Sequence, residues 1–264
     1  MNSIKENPIG FFDSGIGGTS IWKEVHKLLP NENTIYLADS KNAPYGDKTE
    51  NRIIEYCVKN TEILLNQNAK IIVVACNTAT TNAIKVLREI YTIPFIGIEP
   101  AIKPASLVTK TNNIGVLATK GTIQSDLFEK TSANLKSDIK IIEKVGDGLV
   151  DLIEKGEIES KEIEFLLKKY LNPMMEKNID ALVLGCTHYP YLIPSIRKIV
   201  TNDIKIIDAG FAVARQTKKI LEKFNIAQKN ENCKTTHKFF SNKDTKVLSK
   251  LLNNYNVEIL SKEF

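Results

Sequence analysis

Two stretches of this sequence read as near copies of each other: "AKIIVVACNTATTNAIKVLREIYTIPFIGIE" at residues 69–99 and "IDALVLGCTHYPYLIPSIRKIVTNDIKIID" at residues 179–208. Each opens on a short apolar run, ends it at a cysteine followed by small polar residues, continues in a helical pattern and closes on a second apolar run. A continuous apolar run followed by a helix is the pattern of a parallel strand buried on both faces and the helix that returns the chain to the next strand. Laid strand on strand, Cys76 falls on Cys186. A second match sets "NPIGFFDSGIGGTS" at 7–20 beside "NNIGVLATKGTIQS" at 112–125, so that Asp13 falls on Ala118 and Ser14 on Thr119.

The alternation extends outward from these segments. "PIGFFDS" (8–14) precedes the helical "TSIWKEVHKLL", and "NTIYLAD" (33–39) precedes "ENRIIEYCVKNTEILLNQ". After residue 100 the pattern restarts with "NNIGVLAT", "IKIIEKVG", a charged helical stretch over 149–177, "DALVLGC" and "IKIIDAG". The fold class is therefore α/β, and the repetition implies duplication: two similar lobes with central, mostly parallel sheets, related by pseudo-two-fold symmetry across a cleft. The expected division places residues 1–98 and 210–264 in the first lobe and 99–209 in the second. In the tail, "FAVARQTKKILEKF" reads as an amphipathic helix and 228–232 as a polar link. "THKFFSN", "DTKVLSKLL" and "VEILSKEF" are expected to add a further strand and helix with no partner in the second half, packed back on the first lobe, where "IGFFDS" begins.

A chain of 264 residues has room for one large domain or two of about 130. Its 42% hydrophobic and 25% charged residues are ordinary for a globular protein and exclude a disordered chain. The net charge of +5 is spread along the chain without a basic run or interleaved aromatics, which argues against nucleic acid as a partner and leaves room for a small anionic substrate. No apolar window is long enough for a signal peptide or a membrane span, so a cytoplasmic location without membrane contact is expected. Cys57, Cys76, Cys186 and Cys233 show no CxxC spacing and are read as free thiols.

In parallel α/β sheets, ligands bind beyond the carboxyl ends of the strands, where helix N-termini present free N–H groups. Four segments sit at such ends: "DSGIGG" (13–18), "CNTATT" (76–81), "ATKGT" (118–122) and "CTHYP" (186–190). The first matches neither a dinucleotide fingerprint nor a P-loop, and reads better as a small anion site built on Ser14 and backbone N–H groups. Cys57, inside a helix, and Cys233, in the polar link, read as structural. Cys76 and Cys186 instead sit at strand ends beside Asn, Thr and His. There a helix dipole is expected to lower a thiol's pKa toward neutrality and make it a proton donor or acceptor.

Two acid/base groups on opposite walls of one cleft suit inversion at a carbon centre, because one removes a proton from one face while the other delivers a proton to the opposite face. A single nucleophilic cysteine would need no twin. Cys76, Cys186 and His188 lack a fourth soft ligand, so no metal is expected. His188 is placed to tune Cys186, and Asp13 to tune Cys76. The loop after the second strand, with Asp39, Pro44, Tyr45 and Gly46, would offer a backbone N–H and a tyrosine hydroxyl to the cleft. A single-thiol hydrolase and a non-catalytic binding protein remain as alternatives from other classes.

The segments "FFDSGIGG", "ADSKNAPYG", "ACNTAT", "GIEPAIKPA", "GVLATKGT", "VLGCTHYP" and "IDAGFAVA" resemble, in order and spacing, those of the glutamate racemases within the aspartate/glutamate racemase family. The resemblance implies cofactor-independent interconversion of L- and D-glutamate for peptidoglycan, in a homodimer without a metal. It makes Cys76 the catalytic thiol for the D-enantiomer and Cys186 the one for the L-enantiomer. It assigns Asp13, Ser14, Tyr45, Gly46, Asn77, Thr78, Thr187 and His188 to the substrate shell, Thr119 to an extra contact, and Glu154 to a supporting position near Cys186. Val145-Gly146-Asp147 departs from the Cys-Pro pair of many members. A related cofactor-independent aspartate or hydantoin racemase is the nearest alternative.

Overall fold

The computed structural model describes residues 4–230 and 234–264; Cys233 and residues 231–232 of the polar link lie outside the described residues. The strands are β1 (Ile9–Asp13), β2 (Thr34–Ala38), β3 (Ile71–Val74), β4 (Phe95–Ile96), β5 (Asn113–Ala118), β6 (Lys140–Val145), β7 (Ala181–Gly185), β8 (Lys205–Ile207), β9 (His237–Ser241) and β10 (Glu258–Ser261). They form two sheets, ordered β10-β9-β2-β1-β3-β4 and β6-β5-β7-β8. Among the described residues every strand pairing is parallel.

The order β2-β1-β3-β4 recurs as β6-β5-β7-β8, and the register recurs with it: Ile9 lies beside Ile71 in one sheet, and Ile114 beside Ala181 in the other. The duplication read from the two cysteine segments is thus a duplication of topology. Its physical basis is burial on both faces. All residues of β1, β3 and β7 are buried, which requires helices above and below and accounts for their unbroken apolar runs.

Helix Thr19–Leu28 turns Ile21, Trp22 and Val25 inward, and helix Gly210–Lys223 packs against it through Val213, Ala214 and Leu221. Trp22 is fully buried and donates its ring N–H to Thr34 Oγ1 at 2.9 Å, so its large apolar surface leaves no polar atom unpaired.

The tail differs from expectation. It supplies two strands, β9 and β10, on either side of the short helix Lys246–Leu251, where one strand was expected, and β9 joins the first lobe's sheet by pairing with β2. A strand has only two edges, and those of β1 are taken by β2 and β3. Among the described residues, no helix is long and apolar enough to cross a membrane.

Candidate active site

The carboxyl ends of β1, β3, β5 and β7 deliver Asp13 and Ser14, Cys76, Thr119, and Cys186 to one place. Cys76 follows β3 and caps the helix Asn77–Ile90, its sulfur accepting the Ala79 N–H at 3.4 Å. The same sulfur lies 3.7 Å from Ser14 Oγ. Ser14 in turn donates to Asp13 Oδ1 at 3.3 Å, and that oxygen also accepts the Gly15 N–H at 2.7 Å. Thr78 Oγ1 reaches across to Thr119 Oγ1 at 2.8 Å, joining the two sheets' loops.

Cys186 follows β7 in the same way, but its partner is a histidine. Its sulfur is 3.7 Å from His188 Nδ1, and His188 Nε2 is 2.6 Å from Glu154 Oε1, at the end of helix Leu149–Glu154. The Ile16 N–H donates to the same Glu154 oxygen at 2.7 Å, and Ser40 Oγ donates to Oε2 at 3.0 Å. Thr187 Oγ1 donates to Asp13 Oδ2 at 2.8 Å, and its carbonyl accepts from Ser20 Oγ at 2.8 Å. Residues 13–20 therefore hold the second half of the site as well as the first.

Both thiols face a single cavity, lined by the residues that the resemblance assigns to the site except Asp13 and Glu154, which stand behind it as hydrogen-bond partners of the lining groups; Asp39 also lies outside the lining. Pro44 and Val150 complete the lining. The open space is about 10 Å3, the room one water needs, so the walls must part to admit an amino acid. Asn77 lines this cavity, and its buried Nδ2 has no protein partner, which leaves a donor free for a ligand.

Burial dominates the electrostatics. It raises the Asp13 carboxyl to about 6, against the opposing pull of the His188 charge and the bonds from Thr187 and Gly15. Burial also disfavours a charge on His188, yet the bonds to Cys186 and Glu154 outweigh it and hold His188 well above the ordinary histidine range. An imidazolium beside a sulfur can stabilise it as thiolate or hand it a proton.

Three expectations are corrected here. The Cys76 thiol is pushed up by burial and by the Asp13 charge, which the Ala79 N–H at the helix N-terminus does not offset, so it is not lowered toward neutrality. The Tyr45 hydroxyl does not enter the cleft; it donates to Asp39 Oδ2 at 2.5 Å. Finally, two backbone N–H groups of "DSGIGG" are not free for a ligand: Ile16 donates to Glu154 and Gly15 to Asp13, and Ser14 is the part of the turn that lines the cavity.

The sequence profile of the Asp/Glu/Hydantoin racemases matches residues 18–217. The chain belongs to that family. Among curated relatives, a glutamate racemase of Cupriavidus pinatubonensis is 44% identical over 86% of this chain and 84% of its own length. Among solved structures, the glutamate racemase of Francisella tularensis in complex with D-glutamate superposes with a TM-score of 0.84 at 31% identity, covering 98% of each chain. That of Escherichia coli, in complex with L-glutamate and the activator UDP-MurNAc-ala, superposes with a TM-score of 0.86 at 31% identity, covering 97% of this chain and 98% of the other.

Sequence reasoning about this racemase missed Ser40, Ile16, Ser20 and Val150. Ser40 follows Asp39 in a loop whose visible signal comes from its turn residues Pro44, Tyr45 and Gly46, and the Ile16 N–H is a backbone group that no residue pattern marks. Cys57, by contrast, is buried inside helix Glu50–Asn66, where it packs as a small apolar side chain.

Proposed function

We propose that this racemase interconverts L- and D-glutamate without a cofactor, using Cys76 and Cys186 as the two acid/base groups. The observation that carries the reading is the pair of thiols, each ending a topologically equivalent strand and facing the other across one cavity. Their surroundings differ in a useful way. Cys76 is held as a thiol, an acid, whereas Cys186 has His188 Nδ1 3.7 Å from its sulfur, on a ring whose bonds favour its charged form.

In the L-to-D direction Cys186, as thiolate, takes the α-proton while Cys76 releases its own to the opposite face. The sulfurs exchange protonation states, and the reverse reaction restores them. The developing carbanion and the substrate carboxylates meet neutral dipoles: the Asn77 amide, whose Nδ2 has no protein partner, and the N–H groups opening helix Asn77–Ile90, with the hydroxyls of Ser14, Thr78, Thr119 and Thr187 lining the cavity around them. In a site closed to water such preoriented dipoles stabilise developing charge without reorganising.

The same reading divides the chain into residues 1–98 with 210–264 and residues 99–209. It places the enzyme in the cytoplasm, where free thiols stay reduced, as a homodimer that supplies D-glutamate for peptidoglycan. Light scattering of the purified protein tests the dimer. Cys76→Ser and Cys186→Ser are each expected to abolish racemisation of glutamate while the fold is retained. Full activity in either variant refutes the mechanism, and faster turnover of aspartate or a hydantoin moves the substrate assignment to the related racemases.

A further inference from the structure

Gly15 and Gly17, on either side of Ile16, fit against Glu154 and His188 so closely that neither position has room for a Cβ. A Cβ on Gly15 would lie 2.0 Å from Glu154 Oε1, and one on Gly17 would lie 2.2 Å from His188 Nδ1. Ser40, buried at 5% exposure on the loop after β2, closes on the same carboxylate from another side. Of the three donors on Glu154, His188 follows β7 of the four-stranded sheet. Ile16 and Ser40 follow β1 and β2 of the six-stranded sheet.

We propose that Ser40 and the Ile16 N–H are positioning groups that complete the Glu154–His188–Cys186 chain only when the cleft is shut, so that closure over the substrate itself assembles the second thiol's proton relay. The inference rests on the reading of Cys186 as an acid/base.

With so little open space between the thiols, substrate entry must separate the two halves of the site. Separation withdraws both six-stranded-sheet donors from Glu154 and leaves it only His188. It also breaks the Thr187–Asp13 and Ser20–Thr187 bonds, which span the same gap. On closure the carboxylate is gripped at both oxygens, which fixes the imidazole it holds and, through Nδ1, the direction from which Cys186 exchanges its proton. An open site would then carry a loosely oriented His188 and a poor base, protecting the thiol from unproductive proton exchange until substrate is enclosed.

The test compares wild type, Ser40→Ala and Ser40→Thr. Steady-state kinetics are measured in both directions, with primary isotope effects from α-deuterated L- and D-glutamate. Removing a hydrogen bond to a charged group is worth about 10- to 100-fold when it is expressed in the transition state. Ser40→Ala is therefore expected to lose that much kcat with KM within about threefold, and its isotope effect should rise more with L-glutamate, whose proton Cys186 takes. Ser40→Thr keeps the hydroxyl and should recover most of the rate. A Ser40→Ala enzyme with wild-type kcat and isotope effects overturns the inference alone, as does a loss of rate whose isotope effects change equally with the two enantiomers or that threonine does not restore. A wild-type protein that does not racemise glutamate overturns the underlying reading and this inference with it.

Discussion

Replacing Gly17 with alanine puts a methyl group where the His188 ring already lies. The added carbon would sit 2.2 Å from Nδ1, 2.4 Å from Cγ and 2.5 Å from Cε1, whereas non-bonded heavy atoms rest at about 3.5 Å or more. Something must therefore move by about 1 Å. The ring is 1% exposed, bonded to Glu154 at 2.6 Å and set against Cys186 at 3.7 Å, so moving it breaks the proton relay. Moving the turn instead withdraws the Ile16 N–H from Glu154.

Misplacing a reacting group by about 1 Å lowers the rate by about 100-fold. Overpacking also lowers stability by about 1–3 kcal/mol, a melting shift of about 2–10 °C in a chain of this size. Polarimetric assay of L-glutamate racemisation, with thermal melting followed by far-UV circular dichroism, separates the two effects. Gly10→Ala is the control. Its Cβ would press on Ala69 Cβ and Leu64 Cδ1 at 3.1 Å, in the core away from the thiols, so it should lower the melting temperature and leave kcat unchanged. A folded Gly17→Ala enzyme turning over within threefold of wild type would refute the claim that the close fit positions His188.

Two further outcomes follow from buried charge. The Asp13 carboxyl is raised from an unfolded value near 4 to about 6, so its contribution to stability is fully present below pH 4 and is lost as pH rises through 6. Urea titrations from pH 4 to 8 should show Asp13→Asn gaining up to about 3 kcal/mol relative to wild type across that range; a difference independent of pH contradicts the shift. Lys70 Nζ is 2.5 Å from Glu32 Oε2 and 2.6 Å from the Lys5 carbonyl, with both ion-pair side chains buried. Lys70→Met strands the Glu32 charge and should lower unfolding free energy by about 3–5 kcal/mol, with part recovered on adding Glu32→Gln; a loss under 1 kcal/mol would show that water reaches the pair.

What could be read in the sequence was what depends on neighbours in the chain. β1, β3, β5 and β7 stood out because a parallel strand covered on both faces needs an unbroken apolar run, and Cys76 and Cys186 because each ends such a run in a repeated setting. What could not be read depends on distant groups. Glu154 looks like a surface charge at a helix end until Ile16 and Ser40, more than a hundred residues earlier, are seen to donate to it. Only the family resemblance marked it beforehand. The glycines of "DSGIGG" suggested a ligand-binding turn, because close approach to another protein segment leaves the same mark as close approach to a ligand. At Cys76 the helix N-terminus was visible locally and burial was not, and burial decides the thiol's charge. The Tyr45 hydroxyl was misplaced because its direction is set jointly by Asp39, at the start of the same loop, and by Asn60, on helix Glu50–Asn66, whose packing against the loop no local pattern shows. In the tail, the alternation of buried His237, Phe239 and Ser241 in β9 marks a strand, but nothing in it names β2 as the partner.

The central claim is that two protein thiols alone move the α-proton of glutamate between its faces. The direct measurement is incubation of the purified protein with L-glutamate in heavy water, without added cofactor, following optical rotation and α-deuteration together. Rotation should decay to zero as deuterium enters the α-carbon of the D-glutamate formed. Rotation that stays constant, with no deuterium at the α-carbon in a folded sample, would contradict the paired-thiol account.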